Sequence, residues 1–340
     1  MRKEQWINIR GLAILSVIII HTTTMRFNSS SMLNNWINLF FDQVSRFAVP
    51  VFFMSSGFGL GLKHMTETNI LNFYKKRLKI IPEYIFWSIV YFVFSSNDKS
   101  LSKLLIDIIT GNASGQLYFV IVLIQFYLLF PFIRRIAVRK IGLLIFFVIT
   151  VSCQIMYQSG YNFETYTIWN WLFYFNFGIY LANNHNLLMT IKRKSTFIFL
   201  IGTIAILFSA GLFFEFSERP INLITSTIRP TMIFYSIGIM SVFLMRLSKP
   251  LSFFRTLDKH SLTIYYVHLL FLKVLFLVLE KVKVNTTNFF VLVIVALLTV
   301  GLSLAFSVIY DGYRDKFIEL ELSNQVQHFI KEDFIRCFPT

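Results

Sequence analysis

Two residues in the first apolar stretch have side chains suited to chemistry, Arg10 and His21, and ten uncharged residues separate them. An α-helix rises 1.5 Å and turns about 100° per residue, so the two side chains lie about 16 Å apart and within about 20° of one face. A guanidinium binds anions, and an imidazole titrates near neutral pH. The spacing indicates an anion contact with a proton-transfer group above it, although a lone membrane histidine is more often structural.

Three more basic residues lie inside apolar stretches, Arg46, Arg229 and Lys273. A charge at that depth costs several kcal/mol unless it has a partner or water. Arg46 follows Asp42 by one helical turn, so an ion pair between them would account for it. The alternative is an aqueous cavity lined by cations, which would suit an anionic ligand. Arg10, near the end of its helix, can also extend to the membrane interface.

The composition indicates an integral membrane protein. Of the 340 residues, 56% are hydrophobic and 14% charged, whereas soluble domains average about 25% charged. A bilayer core of about 30 Å needs about 20 apolar residues per helix. We therefore predict an all-α membrane protein with about ten transmembrane helices, over residues 7–23, 39–62, 80–96, 117–133, 141–157, 168–183, 195–214, 229–247, 260–280 and 288–310.

The lysines and arginines between these spans are distributed unevenly. Most lie at the N-terminus, in every second connecting segment and in the tail: Arg2, Lys3, Lys63, Lys75, Lys76, Arg77, Lys79, Arg134, Arg135, Arg139, Lys140, Lys192, Arg193, Lys194, Arg246, Lys249, Arg255, Lys259, Arg314, Lys316, Lys331 and Arg336. The intervening segments hold only Arg26, Lys99, Lys103, Arg219, Lys281 and Lys283. The positive-inside rule then predicts that both termini are cytoplasmic. Topology and contact with anionic lipid account for the net charge of +15, so we expect no nucleic-acid partner.

The predicted domains are a transmembrane domain, residues 1–312, and a cytoplasmic tail, residues 313–340. The tail mixes apolar and charged residues over 314–336, which is typical of an interfacial helix. Residues 101–110 form a short mixed segment that we expect at the outer interface. No small-residue cleavage site follows His21, so we expect the first helix to be retained as a signal anchor.

The usual soluble-enzyme motifs are missing from the sequence. It contains no Walker motif, no dinucleotide fingerprint and no CxxC pair. Its two cysteines, Cys153 and Cys337, imply no disulfide framework, and we expect no metal.

Several motifs, taken in order, resemble the acyltransferase type 3 family of membrane O-acyltransferases. Arg10, ten intervening residues and His21 are similar to the signature of the family's first helix. Four further segments resemble family motifs in the same order: RFAVPVFFMSSGF (46–58), FYKKRLKIIPEY (73–84), QLYFVIVLIQFYLLFP (116–131) and SLTIYYVH (261–268). The helix count of about ten is also that of the family.

The chain departs from the family pattern in two respects. Leu117, Tyr118 and Phe119 stand where family members often have a tryptophan, and no esterase-like domain follows the tail. We therefore expect the stand-alone form. It resembles the Gram-positive exopolysaccharide subgroup of the intercellular-adhesin type, including in WLFYFNFGIYL (171–181). Members of that subgroup are argued either to modify a glycan or to export it, so the reaction stays open.

The resemblance implies a multi-pass enzyme of the bacterial plasma membrane that uses acetyl-CoA or another acyl-CoA. It would transfer the acyl group to a hydroxyl of an extracytoplasmic glycan or exopolysaccharide. His21 would be the general base, and Arg46 would stabilise the oxyanion or orient the thioester carbonyl. Donor binding would fall to five residues, the phosphate-binding Arg10, Lys75, Lys76 and Arg77 and the donor-orienting His268.

Other interpretations remain open. Topology alone would also account for the loop lysines, and a packed helix–helix hydrogen bond would account equally well for His268. The protein could instead be a glycan exporter or flippase without acyl-transfer chemistry. A third interpretation is a membrane assembly partner for a glycan synthase.

Overall fold

The structure is a computed structural model that describes residues 3–25, 32–62, 70–96, 98–161, 164–216, 223, 225–247 and 249–337, without the side chains of 212–216 and 317–337. The fold is 83% helical, and the described residues contain no strand. The all-α prediction is therefore confirmed. Four of the basic residues from which the topology is predicted lie outside the described residues: Arg2, Arg26, Lys63 and Arg219.

Fifteen α-helices follow one another along the described chain. They are α1 Ile7–Thr24, α2 Met32–Ser45, α3 Ala48–Gly61, α4 Ile70–Arg77, α5 Ile80–Ser95, α6 Leu101–Thr110, α7 Tyr118–Ala137, α8 Lys140–Gln158, α9 Leu172–Asn183, α10 His185–Arg193, α11 Ser195–Phe216, α12 Thr231–Arg246, α13 Ser252–Lys259, α14 Ser261–Lys281 and α15 Phe289–Cys337. Each of the ten predicted spans overlaps at least one of them.

Seven helical segments of the described chain are long and apolar enough to cross a bilayer: Glu4–Thr24, Met32–Gly61, Ile70–Ser95, Tyr118–Ala137, Lys140–Gln158, Ser261–Lys281 and Phe289–Lys316. An eighth is possible if α10 and α11, bent by 68° at Lys194, form one broken span. The other two predicted spans correspond to α9 and α12, of 12 and 16 residues. Both are shorter than the roughly 20 residues that cross a bilayer unaided.

Helix α1 lies in the middle of the bundle. It packs against α2, α3, α12, α13, α14 and α15. Its side chains at Ala13, Ile14, Val17 and Ile18 are buried. A helix that is apolar on nearly every face is expected inside a bundle. In this position Arg10 and His21 can contact side chains from several neighbouring helices.

The closest helix contact joins α3 to α9. A Cβ built on Gly57 would lie 1.9 Å from the carbonyl oxygen of Phe175, and one on Gly178 would lie 2.0 Å from that of Met54. Only glycine allows two helix backbones to approach so closely. The contact fixes α3, whose Ser55 and Ser56 line cavities described below.

A buried polar cluster joins the start of α14 to α15. Asp311 accepts hydrogen bonds from the Thr263 hydroxyl, at 2.6 Å, and from His260 Nδ1, at 2.5 Å. Arg314 lies 3.1 Å from the same carboxylate and 3.4 Å from Glu83 of α5. Because it is buried and satisfied by partners, this cluster fixes the corner between α13 and α14.

Helix α15 continues without a break through the predicted boundary between residues 312 and 313. Its first part has the lipid-facing apolar residues Phe290, Ile294 and Leu297, all exposed. Large exposed apolar faces of this kind are typical of membrane proteins. The cytoplasmic location of the tail stays a prediction.

Below, the end of the bundle that carries Ile7 is called the Ile7 end, and the opposite end of α1 is called the Thr24 end. The charge distribution predicts that the Ile7 end is cytoplasmic.

Candidate active site

Two adjoining cavities begin at the Ile7 end and share Arg10, Ser55 and Ser56. The first, of about 280 Å³, is lined by Trp6, Arg10, Ser55, Ser56, Phe58, Gly59, Arg77 and Tyr127. The second, of about 210 Å³, is lined by Arg10, Phe52, Ser55, Ser56, Phe119, Leu123, Asp258, Ser261, Leu262 and Tyr265. We call them the Arg77 cavity and the Tyr265 cavity. Arg10 therefore lies where the two cavities meet.

Arg10 is held by an acidic partner that lies far away in the sequence. Its Nη2 donates to Asp258 Oδ2 at 2.7 Å, and Asp258 is on the short helix α13 that packs against α1. Burial raises the pKa of Asp258, while the Arg10 guanidinium acts in the opposite direction. Arg10 Nε is buried and has no hydrogen-bond partner among the described residues. The guanidinium thus keeps a donor for an additional ligand.

The last turn of helix α4 carries three predicted donor-binding residues, Lys75, Lys76 and Arg77, and only Arg77 lines one of the two cavities. Arg77 lines the Arg77 cavity, with its guanidinium 5.5 Å from the ring centre of Tyr127, a cation–π contact. Lys75 and Lys76 are exposed on the same helix, and neither is among the residues that line these two cavities. The structure therefore brings Arg10 and Arg77 together and leaves the two lysines at the surface.

The Tyr265 cavity leads towards the predicted base. The Tyr265 ring lies 5.9 Å from the ring of His268, one helical turn further along α14. Its hydroxyl donates a short hydrogen bond to the backbone carbonyl of Gln116, in the buried segment that precedes α7. Tyr265 is thereby fixed between the cavity and the histidine.

His21 and His268 lie side by side, with ring centres 5.2 Å apart and planes at 43°. His268 is fully buried, and its Nδ1 is 3.1 Å from the carbonyl oxygen of Ile264. A carbonyl only accepts, so Nδ1 carries the proton and Nε2 keeps its lone pair. Nε2 is buried without a partner among the described residues. His268 is therefore next to the predicted base and one turn beyond the cavities that Arg10 and Arg77 line.

Arg46 forms an ion pair with Asp42, which was one of the two alternatives for Arg46 in the sequence analysis. Its Nε donates to Asp42 Oδ2 at 2.9 Å and its Nη2 to Asp42 Oδ1 at 2.6 Å, a two-point contact. Nη2 also donates to the Thr24 hydroxyl at 3.0 Å. Asp42 is fully buried and also accepts from Gln43 Nε2 at 2.8 Å. The ion pair is the observed arrangement, and the role of Arg46 in catalysis stays a prediction.

A second arginine, Arg229, lies in the same buried region. It is 2% exposed, and its Nη2 donates to Gln43 Oε1. Its Nε and Nη1 are buried without a partner among the described residues. We call Asp42, Gln43, Arg46 and Arg229 the Thr24-end cluster. It holds two guanidinium groups and one carboxylate, so it carries an excess positive charge that favours an anion.

Sequence reasoning identified Arg229 only as a basic residue in an apolar stretch, and it missed Asp258 and Tyr265. Arg10 and Asp258 are 248 positions apart, and Arg229 and Gln43 are 186 apart. No local pattern connects such pairs. Lys273, the fourth basic residue in an apolar stretch, lines neither cavity. Its Nζ donates to the hydroxyl of Ser95, at the end of α5, at 2.8 Å.

No group of three or more His, Cys, Asp or Glu side chains that could hold a metal occurs among the residues that the structure describes. The side chains that the structure does bring together at this site carry guanidinium, carboxylate, imidazole, phenol and hydroxyl groups.

A known protein family matches most of the chain. The profile of the acyltransferase type 3 family, described as an acyltransferase domain, matches residues 4–308. This range runs from the turn before α1 into α15 and contains every residue of the two cavities, the histidine pair and the Thr24-end cluster. Neither the curated proteins nor the solved structures give a match.

Proposed function

The chain belongs to the acyltransferase type 3 family, and from this premise we propose a reaction for it. An acetyl or other short acyl group passes from cytoplasmic acyl-CoA to a hydroxyl of an envelope glycan or exopolysaccharide on the opposite side. One observation carries the proposal. The two cavities meet at Arg10, and Tyr265, which lines one of them, lies against His268 of the paired His21 and His268 rings.

The donor binds at the Ile7 end in this proposal. Arg10, through its free Nε, and Arg77 contact the CoA phosphates by charge-assisted hydrogen bonds, which are the strongest kind available to side chains. The exposed Lys75 and Lys76 act at longer range, by attracting the anionic donor. The pantetheine arm then extends through the Tyr265 cavity.

His268 orients the donor through Nε2, its ring nitrogen that has no hydrogen-bond partner among the described residues. The pantetheine arm carries amide N–H groups, and the buried Nε2 of His268 can accept from one of them. This role fits the tautomer inferred from the Ile264 contact, in which Nδ1 donates to the backbone carbonyl. The thioester then lies next to His21.

His21 acts as the general base. It takes the proton of the acceptor hydroxyl while the hydroxyl oxygen attacks the thioester carbonyl carbon. The carbon–sulfur bond breaks, and the thiolate of CoA leaves and takes up the proton that His21 holds, which regenerates the neutral base. Negative charge develops on the carbonyl oxygen meanwhile, and the excess positive charge of the Thr24-end cluster favours it. Within this cluster Arg229 has unpartnered N–H groups, whereas Arg46 is engaged by Asp42.

The exporter interpretation is less well supported by the cavities. Volumes of about 210 and 280 Å³ are below the roughly 300–1,000 Å³ of small-molecule sites. A passage for a glycan chain needs more room than either cavity offers. An arm as narrow as pantetheine is a better fit.

Donor binding tests the proposal. Purified protein in nanodiscs should bind CoA, and added salt should weaken the binding because it screens phosphate contacts. Arg77→Ala removes a cavity cation and should weaken CoA binding by about ten- to a hundredfold, since a hydrogen bond to a charged group contributes about 1.5–3 kcal/mol. Lys76→Ala is the matched control on the same helix and should change the affinity little.

The outcome that contradicts this proposal is equally clear. Folded protein with no measurable CoA binding, shown by calorimetric titration, would favour the exporter interpretation. Equal losses in the two variants would assign the effect to general charge and not to the Arg77 cavity.

A further inference from the structure

A third cavity lies on the outer face of the bundle, between α1, α2 and α15. It has a volume of about 400 Å³ and is lined by Leu15, Ile18, Ile19, Thr22, Thr23, Asn38, Phe41, Phe289, Leu292, Val293, Ala296, Leu297 and Val300. Ten of these thirteen side chains are apolar, and the other three are Thr22, Thr23 and Asn38. We call this cavity the lateral groove.

The lateral groove opens towards lipid and has the length of one leaflet. Leu297 in its wall is 66% exposed, on the lipid-facing side of α15. From Leu15 to Thr23 the groove follows α1 for about 12 Å, and from Phe289 to Val300 it follows α15 for about 16 Å. Half of a bilayer core is about 15 Å. A hydrocarbon chain of the leaflet at the Thr24 end therefore fits lengthwise.

One polar side chain in the groove needs a partner. Asn38 is fully buried, and neither its Oδ1 nor its Nδ2 has a hydrogen-bond partner among the described residues. The two threonines differ, because Thr22 donates to the Ile18 carbonyl and Thr23 to those of Ile19 and Ile20. A buried amide without partners indicates a bound group that supplies them.

The groove ends next to the Thr24-end cluster. Thr23, which lines the groove, has its hydroxyl 3.5 Å from Asp42, and Asp42 is the residue that pairs with Arg46. With Arg229 nearby, this end carries more positive than negative charge. The groove thus combines an apolar channel with a polar, positively charged end, as a chain with an anionic headgroup requires.

The groove is separate from the donor path. The α1 residues of the groove are Leu15, Ile18, Ile19, Thr22 and Thr23. At about 100° per residue the centre of this face is roughly 140° from Arg10 and His21, and only Ile18, at its edge, lies within about 60° of His21. The helix itself therefore lies between the groove and the cavities that Arg10 lines.

From these observations we propose that the lateral groove binds the single hydrocarbon chain of a lipid-linked acceptor. The chain is of the isoprenoid-phosphate type, with its phosphate on the groove side of the Thr24-end cluster, beside Thr23 and Arg46, and its first polar atoms on Asn38. The unpartnered N–H groups of Arg229 are left for the reacting carbonyl oxygen. The inference rests on the proposed function, since it gives that reaction an acceptor that is carried on a lipid. A groove of about 400 Å³ holds one chain, and the second chain of a phospholipid would have to stay outside it, in the surrounding lipid.

A photoreactive polyprenyl phosphate tests the proposal directly, without CoA and without turnover. Full-length protein in nanodiscs is irradiated with this probe, and the labelled peptides are identified by mass spectrometry. We expect labels on α1, α2 and the 289–300 part of α15, several-fold above those on the lipid-facing helices α8 and α11. A phospholipid that carries the same photoreactive group should show no such preference.

Matched variants on α15 complete the test. Ala296→Phe fills the groove and should lower groove labelling several-fold, whereas Ala305→Phe changes an exposed residue of the same helix outside the groove and should not. Asn38→Leu, on α2, should also lower the labelling of the groove and provides a second variant in another helix. Uniform labelling of all lipid-facing helices, or equal labelling of both alanine variants, would overturn the proposal. Failure of CoA binding alone would overturn the proposed function and leave this result unaffected.

Discussion

The two histidines of the site differ in how far the fold fixes them. His268 is fully buried and uses Nδ1 in a backbone hydrogen bond, whereas His21 is partly exposed, and no hydrogen bond of its ring is seen among the described residues. A base must reach its substrate, and a group that orients the donor must be held in place. The difference in environment therefore matches the difference in proposed roles.

Separate effects on binding and rate follow from these roles. His21→Ala should lower the acyl-transfer rate by about 10²–10⁴, the usual contribution of general base catalysis. It should leave acetyl-CoA affinity nearly unchanged, because the base acts in the transition state. His268→Ala should instead weaken acetyl-CoA binding, by the roughly 0.5–1.5 kcal/mol of one hydrogen bond. Titration of both purified variants with acetyl-CoA measures this, and a large loss of affinity in His21→Ala would contradict the assignment.

The ion pair of Arg46 and Asp42 should stabilise the fold, and substitution of either residue tests this. Asp42→Asn keeps the shape of the side chain but leaves two buried guanidinium groups without their carboxylate. Breaking a buried pair in this way costs about 3–5 kcal/mol. Arg46→Lys keeps the charge but loses the two-point contact, so we expect a smaller loss, of about 1–3 kcal/mol.

Thermal unfolding in detergent compares the two variants with the unchanged protein. The melting temperature should fall more in Asp42→Asn than in Arg46→Lys. An Asp42→Asn protein that is as stable as the original would show that water or another group neutralises the arginines.

At the residue scale, sequence reasoning found the groups that are unusual for their surroundings. Arg10, His21, Arg46 and Arg229 are conspicuous because apolar helices rarely contain such side chains. Their partners are not conspicuous, since Asp258 lies in an ordinary polar segment. Pairing depends on which helices come together, and this information is absent from the local sequence.

At the scale of elements, the breaks between helices were the least predictable feature. The span predicted over 39–62 is two helices, α2 and α3, separated at Arg46 and Phe47. The apolar pattern continues across this break, so hydropathy gives no sign of it. The break lies directly beside the ion pair of Arg46 with Asp42 and Thr24, so the local backbone and the polar contacts form one arrangement.

The glycine contact between α3 and α9 gives a prediction at this scale. Gly57→Ala adds a Cβ that would overlap the Phe175 carbonyl oxygen, so the helices must separate. Overpacking of this kind typically costs about 1–3 kcal/mol. We expect a lower melting temperature and weaker CoA binding, since α3 also carries Ser55 and Ser56.

Gly301→Ala is the control for that variant. Gly301 is an exposed position of α15 where an added Cβ meets nothing within 4 Å. Alanine favours helix over glycine by about 1 kcal/mol, so this variant should be as stable as the original or more so. Equal destabilisation by both substitutions would contradict the close contact of α3 and α9.

At the scale of the whole molecule, composition and charge were enough for the fold class. Every backbone polar group needs a partner in lipid, and apolar runs of about 20 residues satisfy this need as helices. The number of full crossings was harder to predict, since α9 and α12 are shorter than a bilayer and hydropathy does not show where they end. The lateral groove was not predicted at all, because it is formed by three helices from distant parts of the chain.

The most direct test of the account compares envelope glycans from cells that lack the protein, contain it, or contain His21→Ala at equal membrane abundance. Mass spectrometry measures ester-linked acetyl or other short acyl groups and the amount of glycan outside the cell. The account predicts acyl esters only with the unchanged protein, and equal glycan export in all three. Unchanged ester content together with a loss of exported glycan in cells without the protein would contradict it.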